Sequence, residues 1–153
     1  MTERLTGGCQ CGAVRYEIDP DEVLTLYCCH CRECQRQAAS GFGMSMRLPR
    51  AGFRLLQGTL ANWARGTFRG TTNRANFCPS CGVRIFHDEG EGSTEISLKA
   101  GSLDDTSGLR PIGHIWTRSA QPWVHLDADM LCYEEQPETD DALYDAYRDQ
   151  QKQ

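Results

Sequence analysis

The chain has 153 residues, of which 39% are apolar and 24% are charged, and its formal net charge is −5 at pH 7. This length and composition predict a globular domain with its own core, and they exclude a disordered chain. No stretch approaches the ~18 consecutive apolar residues of a membrane-spanning helix. An acidic chain also argues against nucleic-acid binding, which usually requires a basic patch.

The nine cysteines are the least common feature of this composition. The first residues, 1–8, lack the apolar run of a secretory signal, so we expect a cytoplasmic protein. Thiols stay reduced in the cytoplasm, where disulfides are rare. The cysteines therefore indicate metal binding rather than disulfide formation.

Short strands are predicted along most of the chain. Within residues 12–18, Val14, Tyr16 and Ile18 alternate with Arg15 and Glu17, which is typical of a half-buried strand. The remaining predicted strands are 23–28, 42–48, 53–57, 75–77, 83–87, 94–98, 112–116 and 123–126. Short strands separated by Gly and Pro residues indicate a mainly β domain.

Helical structure is expected in two places. Residues 32–40 have room for one or two turns before Gly41 and Gly43 end them. After residue 136 the chain becomes acidic, and Leu143 and Tyr147 are spaced as on one face of a helix. We therefore expect one domain over residues 1–136 and an acidic, partly helical tail over residues 137–153.

Seven of the nine cysteines fall into a CxC, a CHCxxC and a CPSCG motif. They are Cys9 and Cys11, then Cys29, Cys31 and Cys34, then Cys78 and Cys81. A structural zinc takes four protein ligands, whereas a catalytic zinc typically takes three and leaves one position for water or substrate. Seven cysteines therefore suggest one zinc of each kind.

The CPSCG motif has the features of a metal-binding knuckle. Two cysteines three residues apart can face one ion if the chain turns tightly, which Pro79 and Gly82 favour. The glycines around the CxC motif would let Cys9 and Cys11 bend toward the same ion. The spacing equally allows a ribbon in which Cys31 and Cys34 join the CPSCG cysteines.

The CHCxxC motif can hold a metal without help from elsewhere, because its three cysteines lie within six residues. Thiolates favour Zn²⁺ or Cu(I) over Mg²⁺ or Ca²⁺. Alternatively, a fourth protein ligand closes the site. The candidates for that ligand are Cys28, His30, His87, His114, His125 and Cys132. We expect His30 to point away from the ligands and Cys132 to be a small buried apolar residue.

Five segments together resemble a known family. The segments are GGCQCGAVRYEI, CCHCRECQR, NFCPSCGVRIF, KAGSLDD and GHIWTRSAQPW. In order and spacing, from about Gly7 to Gln136, they resemble the glutathione-dependent formaldehyde-activating enzyme family, which also includes centromere protein V. The resemblance implies a mainly β fold, a tent-like arrangement of twisted antiparallel sheets stapled by zinc, to which the sequence adds the short C-terminal helix.

The resemblance also implies roles for the cysteines. The structural zinc would be held by Cys9, Cys11, Cys78 and Cys81. The catalytic zinc would be held by Cys29, Cys31 and Cys34. The implied reaction is that of a carbon-sulfur lyase, which joins glutathione and formaldehyde to S-hydroxymethylglutathione or cleaves such a product. A different class of function, a non-catalytic zinc-stapled binding or thiol-carrier module, fits the same metal sites.

A glutathione site needs donors for two carboxylates. Arg32 and Arg36 flank the CHCxxC motif and are the first candidates. Further arginine candidates are Arg47, Arg65, Arg69, Arg74, Arg84 and Arg118. The three tryptophans, Trp63, Trp116 and Trp123, could line a pocket, although aromatic residues of a small β domain more often belong to the core. The sequence leaves the oligomeric state open.

Overall fold

The computed structural model describes residues 2–153, and within them the protein is mainly β. Eleven strands are described: β1 (Leu5–Gly8), β2 (Arg15–Ile18), β3 (Thr25–Cys29), β4 (Gly43–Pro49), β5 (Phe53–Gln57), β6 (Ala61–Gly66), β7 (Thr72–Phe77), β8 (Arg84–Asp88), β9 (Glu95–Lys99), β10 (Gly113–Ile115) and β11 (Leu131–Cys132). Two α-helices are described: α1 (Arg32–Ala38) and α2 (Asp141–Gln150). None of the helices in this part of the chain has the length and apolar character needed to cross a bilayer.

The chain divides into two compact units. The first unit contains residues 2–23 and 47–108, and the second contains residues 24–46 and 109–153. The strands form two sheets. One has the order β1-β2-β5 and lies in the first unit. The other has the order β9-β8-β7-β6 within the first unit and β11-β10-β3-β4 in the second, except that residues 47–49 of β4 belong to the first unit.

The core of the first unit follows from alternation along its strands. Tyr16 and Ile18 of β2 are buried, whereas Arg15 and Glu17 between them are half-buried, which confirms the predicted pattern. The ring of Tyr16 stacks on that of Phe53 with their centroids 5.2 Å apart. These contacts fix β2 against β5 and so hold the segment that carries the CxC motif.

The KAGSLDD segment fastens the same strands. A 3-10 turn over Ala100–Ser102 places the hydroxyl of Ser102 2.8 Å from that of Tyr16. Thr6 of β1 donates to the Asp104 carboxylate at 2.6 Å, and Nη1 of Arg15 donates to it at 2.8 Å. The segment therefore ties together the two strands on either side of the CxC motif.

The second unit is built around β3, which is buried along its whole length. The expected antiparallel pairing holds for β1-β2-β5 and for β6 to β9, but β10 runs parallel to both β3 and β11. A parallel pair needs a long connection, and the chain between β3 and β10 supplies one. In this arrangement Cys29 at the end of β3 is paired with Ile115 of β10.

The C-terminal helix α2 packs into the second unit. Leu143 is completely buried, and its carbonyl accepts a hydrogen bond from Thr25 Oγ1 at 3.0 Å. Leu143 belongs to a hydrophobic cluster with Tyr27, Cys29 and Ile115. The predicted helical turn of the tail is confirmed, and its apolar residue reaches the strand that carries Cys29.

The strand prediction for residues 123–126 is wrong. This stretch forms a turn, in which Val124 N–H donates to Gln121 O at 3.0 Å, and it leaves Trp123 exposed. Strand β6 was missing from the sequence prediction because most of its side chains are exposed on both faces, so it has no alternating pattern.

Candidate metal centres

The CxC motif lies in a tight turn after β1. The N–H of Cys9 donates to Val14 O at 3.1 Å, and the N–H of Gly12 donates to Cys9 O at 3.2 Å. Gly12 has φ = 80°, a left-handed conformation that glycine adopts without steric cost. This turn brings the side chains of Cys9 and Cys11 together, with their sulfurs 3.5 Å apart.

The CPSCG motif forms the predicted knuckle at the end of β7. The N–H of Gly82 donates to Cys78 O at 2.9 Å, and Gly82 has φ = 79°. The N–H of Cys78 in turn donates to Val83 O at 3.0 Å, which closes the loop. Gly82 thus makes the tight turn predicted for it, in a left-handed conformation.

The two turns place four sulfurs in one group, which we call the four-cysteine cluster. Its members are Cys9, Cys11, Cys78 and Cys81, and their Sγ atoms all lie within 4.8 Å of one another. Cys11 Sγ and Cys78 Sγ are 3.8 Å apart. Tetrahedral zinc with Zn–S bonds of ~2.3 Å requires sulfurs ~3.8 Å apart, so the donor set and spacing fit zinc.

Backbone N–H groups also point at the sulfurs of this cluster. The N–H of Val14 lies 3.2 Å from Cys9 Sγ, and the N–H of Ser80 lies 3.4 Å from Cys78 Sγ. Burial raises the pKa of Cys9, but hydrogen bonds from Val14 and from the neighbouring thiols outweigh it and lower that pKa to about 6. A backbone hydrogen bond from Ala13 lowers the pKa of Cys11, but contacts with the other thiols and burial outweigh it and raise that pKa to about 11, so the cluster favours the thiolate form at Cys9. This grouping also replaces the alternative CxxC ribbon, because Cys78 and Cys81 lie with the CxC cysteines.

The CHCxxC motif forms a second group, the three-cysteine cluster of Cys29, Cys31 and Cys34. Cys29 ends β3, Cys31 is the N-cap of α1, and Cys34 lies in the first turn of that helix. Their Sγ atoms lie within 4.8 Å of one another. This group can also hold a metal ion, and thiolate ligands again suit zinc.

Hydrogen bonds among the thiols of the three-cysteine cluster give its members different pKa values. Hydrogen bonds with the thiols of Cys29 and Cys34 lower the pKa of Cys31 to about 2, and the N–H of Cys34 adds to this at 3.4 Å from Cys31 Sγ. The same contacts with Cys31 and Cys34, together with burial, raise the pKa of Cys29. The site thus favours the thiolate form of Cys31, the N-cap residue of α1.

None of the candidate fourth ligands joins this group. Within residues 2–153, the three cysteines form a group that no other Cys, His, Asp or Glu enters with a ligand atom. His30 is fully buried, its Nε2 lies 2.9 Å from Nδ1 of His114, and it lies outside the three-cysteine group. Cys28 alternates with Cys29 along β3, and burial raises its pKa to about 11.

The expectation that Cys132 is buried is wrong. Cys132 is exposed, because in the two-residue strand β11 the alternation turns Leu131 toward the hydrophobic cluster and Cys132 outward. Cys132 therefore belongs to neither cysteine cluster and offers an exposed thiol for comparison with them.

A cavity lies along α1, the helix that carries Cys34. It has a volume of about 430 Å³, within the ~300–1,000 Å³ typical of small-molecule sites. It is lined by Arg32, Gln35, Arg36, Ala39, Ser40, Gly41, Gln121 and Trp123. Both arginines singled out in the sequence therefore line one cavity. Arg32 and Arg36 are four residues apart and so share one face of α1, whereas Cys34 is two residues from each of them and points to a different side of the helix.

Three of the other arginine candidates form ion pairs with acidic residues. Arg74 pairs with the buried carboxylate of Asp88 at 2.8 Å, Arg47 pairs with Glu95 at 2.6 Å, and Arg118 pairs with Glu135. None of these lines the cavity along α1. Arg32 and Arg36 are the two arginine candidates that line the cavity along α1, and they too have partners, in Gln35 and Glu33.

Two hydrogen-bonded glutamines of this cavity, Gln35 and Gln121, were not predicted from the sequence. Gln35 is only 4% exposed, and its Nε2 donates to His30 O at 2.8 Å and to Ser119 O at 2.9 Å. Gln121 Nε2 donates to Gln35 Oε1 at 3.2 Å. The spacing of Gln35 between the two arginines could have indicated a shared helical face, but no local signal predicts its bond to Ser119.

Comparison with known proteins agrees with this architecture. A crystal structure of a Rhodobacter sphaeroides protein has a similar fold, with a TM-score of 0.52 and 23% identity, covering 70% of this chain and 92% of that chain. The glutathione-dependent formaldehyde-activating enzyme family matches residues 4–119, which include both cysteine clusters. The chain belongs to the glutathione-dependent formaldehyde-activating enzyme family.

Proposed function

We propose that the protein is a two-zinc carbon-sulfur lyase that joins a small thiol such as glutathione to an aldehyde such as formaldehyde. The observation that carries this proposal is the unequal number of ligands: four sulfurs converge in one cluster and three in the other. Four ligands are typical of a structural zinc, and three are typical of a catalytic one. A zinc held by the three-cysteine cluster would supply a Lewis-acidic position for the thiol sulfur or the carbonyl oxygen.

The proposed reaction forms one carbon-sulfur bond. The sulfur of the thiol adds to the carbonyl carbon, the C=O double bond becomes a single bond, and the thiol proton passes to the oxygen. The product is a hydroxymethyl thioether, and the reverse reaction releases the aldehyde and the thiol. No oxidant or reductant is consumed in either direction.

Helix α1, which carries Cys34, also supplies two cationic groups. Arg32 and Arg36 line the cavity along α1, and we assign them to the carboxylates of the thiol substrate. Nη1 of Arg32 donates to Gln35 Oε1, which orients the guanidinium and leaves its other donors for a ligand. Arg36 is held by Glu33 at 3.2 Å.

The hydrophobic cluster protects one side of the site. Cys29 packs with Tyr27, Ile115 and Leu143, and Cys31 and Cys34 pack against the same cluster while remaining half-buried. Water is therefore excluded behind the sulfurs, which strengthens electrostatic interactions there. Since metal-binding thiols must stay reduced, we further propose that the protein works in the cytoplasm.

The test is the rate at which glutathione and formaldehyde form S-hydroxymethylglutathione, followed by NMR with zinc-loaded protein. Because thiols also add to aldehydes without a catalyst, the measured quantity is the increase over the protein-free rate. We expect wild type to raise the rate and the Cys31→Ser variant to leave it at background. A wild-type rate equal to background, with glutathione still bound, would instead support the binding or thiol-carrier module.

A further inference from the structure

Trp123 is an exposed aromatic side chain that the structure nevertheless holds in place. It is 69% exposed, although burying such a ring would stabilise the fold. Its indole Nε1–H donates to Gln121 Oε1. Its ring also lies against Gly41, where an added Cβ would be only 2.8 Å from Cζ2 of Trp123. The bare backbone of Gly41 is therefore what allows the ring to lie in this position.

The exposed ring faces the cavity along α1. Trp123 lines that cavity together with Arg32 and Arg36. A fixed aromatic face offers a large contact area with few rotatable bonds, and flat groups such as amides stack on it. The cavity thus combines a surface for an amide plane with cations for a carboxylate, two groups that a short peptide carries together.

A chain of hydrogen bonds connects Trp123 to the three-cysteine cluster. Gln121 accepts from the indole and donates to Gln35 Oε1 at 3.2 Å. Gln35 Nε2 then donates to the carbonyl of His30, the residue between Cys29 and Cys31, at 2.8 Å. Since Gln35 is buried, water cannot easily replace these bonds. The position of the ring and the backbone of the cysteine motif are therefore held by one network.

We propose that Trp123 is the platform of a peptide-binding subsite, on which an amide plane of the thiol substrate stacks while Arg32 and Arg36 bind its carboxylates. Gln121 and Gln35 are positioning residues that fix this platform relative to the CHCxxC backbone. The choice of a peptide thiol as ligand rests on the proposed function. The subsite makes the protein selective for peptide thiols over small thiols that lack an amide.

The first test uses S-methylglutathione, which has the peptide of glutathione but no free thiol and therefore cannot react. Its binding is measured by calorimetry for wild type, Trp123→Ala and Trp63→Ala. Trp63 is the matched control, because it is 52% exposed but lies in the other unit, where it stacks under Arg84. We expect Trp123→Ala to weaken binding about tenfold and Trp63→Ala to leave it unchanged.

A second variant displaces the ring without removing it. Gly41→Ala places a methyl group where the indole lies, so we expect the same loss of affinity with an unchanged unfolding temperature. In turnover assays, Trp123→Ala should raise KM for glutathione and leave kcat close to wild type, since the platform binds substrate and does not touch the reacting atoms.

These measurements separate the subsite from the reaction. Equal affinity of wild type and Trp123→Ala, or no wild-type binding of S-methylglutathione, would overturn the platform, whether or not turnover is seen. Binding that depends on Trp123, in a protein that does not accelerate thiol addition, would support the platform and overturn the lyase proposal.

Discussion

The two cysteine clusters use the same donor atom but are assembled in opposite ways. The four-cysteine cluster joins turns that are distant in sequence, since Cys11 and Cys78 are 67 residues apart. The three-cysteine cluster is local, because its members lie between the end of β3 and the first turn of α1. A metal in the first would close a long loop and contribute directly to folding, whereas a metal in the second would constrain few residues.

The comparison is tested most severely by removing one ligand of the four-cysteine cluster. We expect Cys81→Ser to unfold or aggregate the protein, because it leaves an incomplete metal site between two distant segments. Circular dichroism and size-exclusion chromatography measure this loss. The control is Ser80→Ala, an exposed position of the same knuckle, which should fold like wild type. Native-like unfolding of Cys81→Ser would contradict a structural role.

The next largest effect is expected behind the three-cysteine cluster. Leu143→Ala removes a fully buried side chain that packs with Cys29, and such a cavity costs about 2–5 kcal/mol of unfolding free energy. Denaturant unfolding measures the change. Leu56→Ala, at a leucine that is 48% exposed, should cost much less. Equal losses at the two positions would show that α2 does not support this unit.

Removing a ligand from the three-cysteine cluster should affect metal content more than folding. We expect Cys31→Ser to stay folded, to contain one zinc fewer than wild type and to lose activity. Metal analysis together with thermal unfolding measures both properties. Cys132→Ser, at the exposed cysteine outside both clusters, should retain both metals. If Cys31→Ser and Cys81→Ser destabilise the protein equally, the two clusters do not have different roles.

Chelation sharpens the same comparison without mutation. We expect mild chelator treatment to remove one zinc per chain and abolish activity while the fold persists, since a site with three ligands holds its metal less completely than one with four. Zinc release and circular dichroism are followed together. Two metals released at the same rate would argue against an open catalytic site.

The smallest effect concerns the hydrogen bonds that Asp104 accepts from Thr6 and Arg15, beside the CxC motif. The hydrogen bond from Arg15, supported by that from Thr6, lowers the pKa of Asp104 from 3.8 to about 2. Its stabilisation is therefore present above pH ~4 and lost as the pH falls toward 2. Because the Asp104 side chain is 44% exposed, solvent screens its ion pair, and Asp104→Asn should cost less than about 1 kcal/mol at pH 7. The difference from wild type in denaturant unfolding should vanish near pH 2.

Local structure was predictable where neighbouring residues determine it. Short-range sterics explain the left-handed conformation of Gly82. Periodicity explains the alternation along β2 and the helix that contains Leu143. The strand predicted over 123–126 failed, because nothing local showed that Trp123 would be left exposed. Cys132 was misplaced for a similar reason, since its burial depends on which face of β11 meets the cluster.

The sequence by itself determined how many thiols there are, how they are spaced and which turns can present them, because turn geometry depends on a few adjacent residues. Spacing alone left two pairings open for the CPSCG cysteines. Tertiary structure decided that they lie with the CxC motif, that Leu143 packs with Cys29 and that Gln35 reaches Ser119. Such contacts depend on apolar burial and hydrogen bonding summed over distant segments, which no single stretch of the chain encodes.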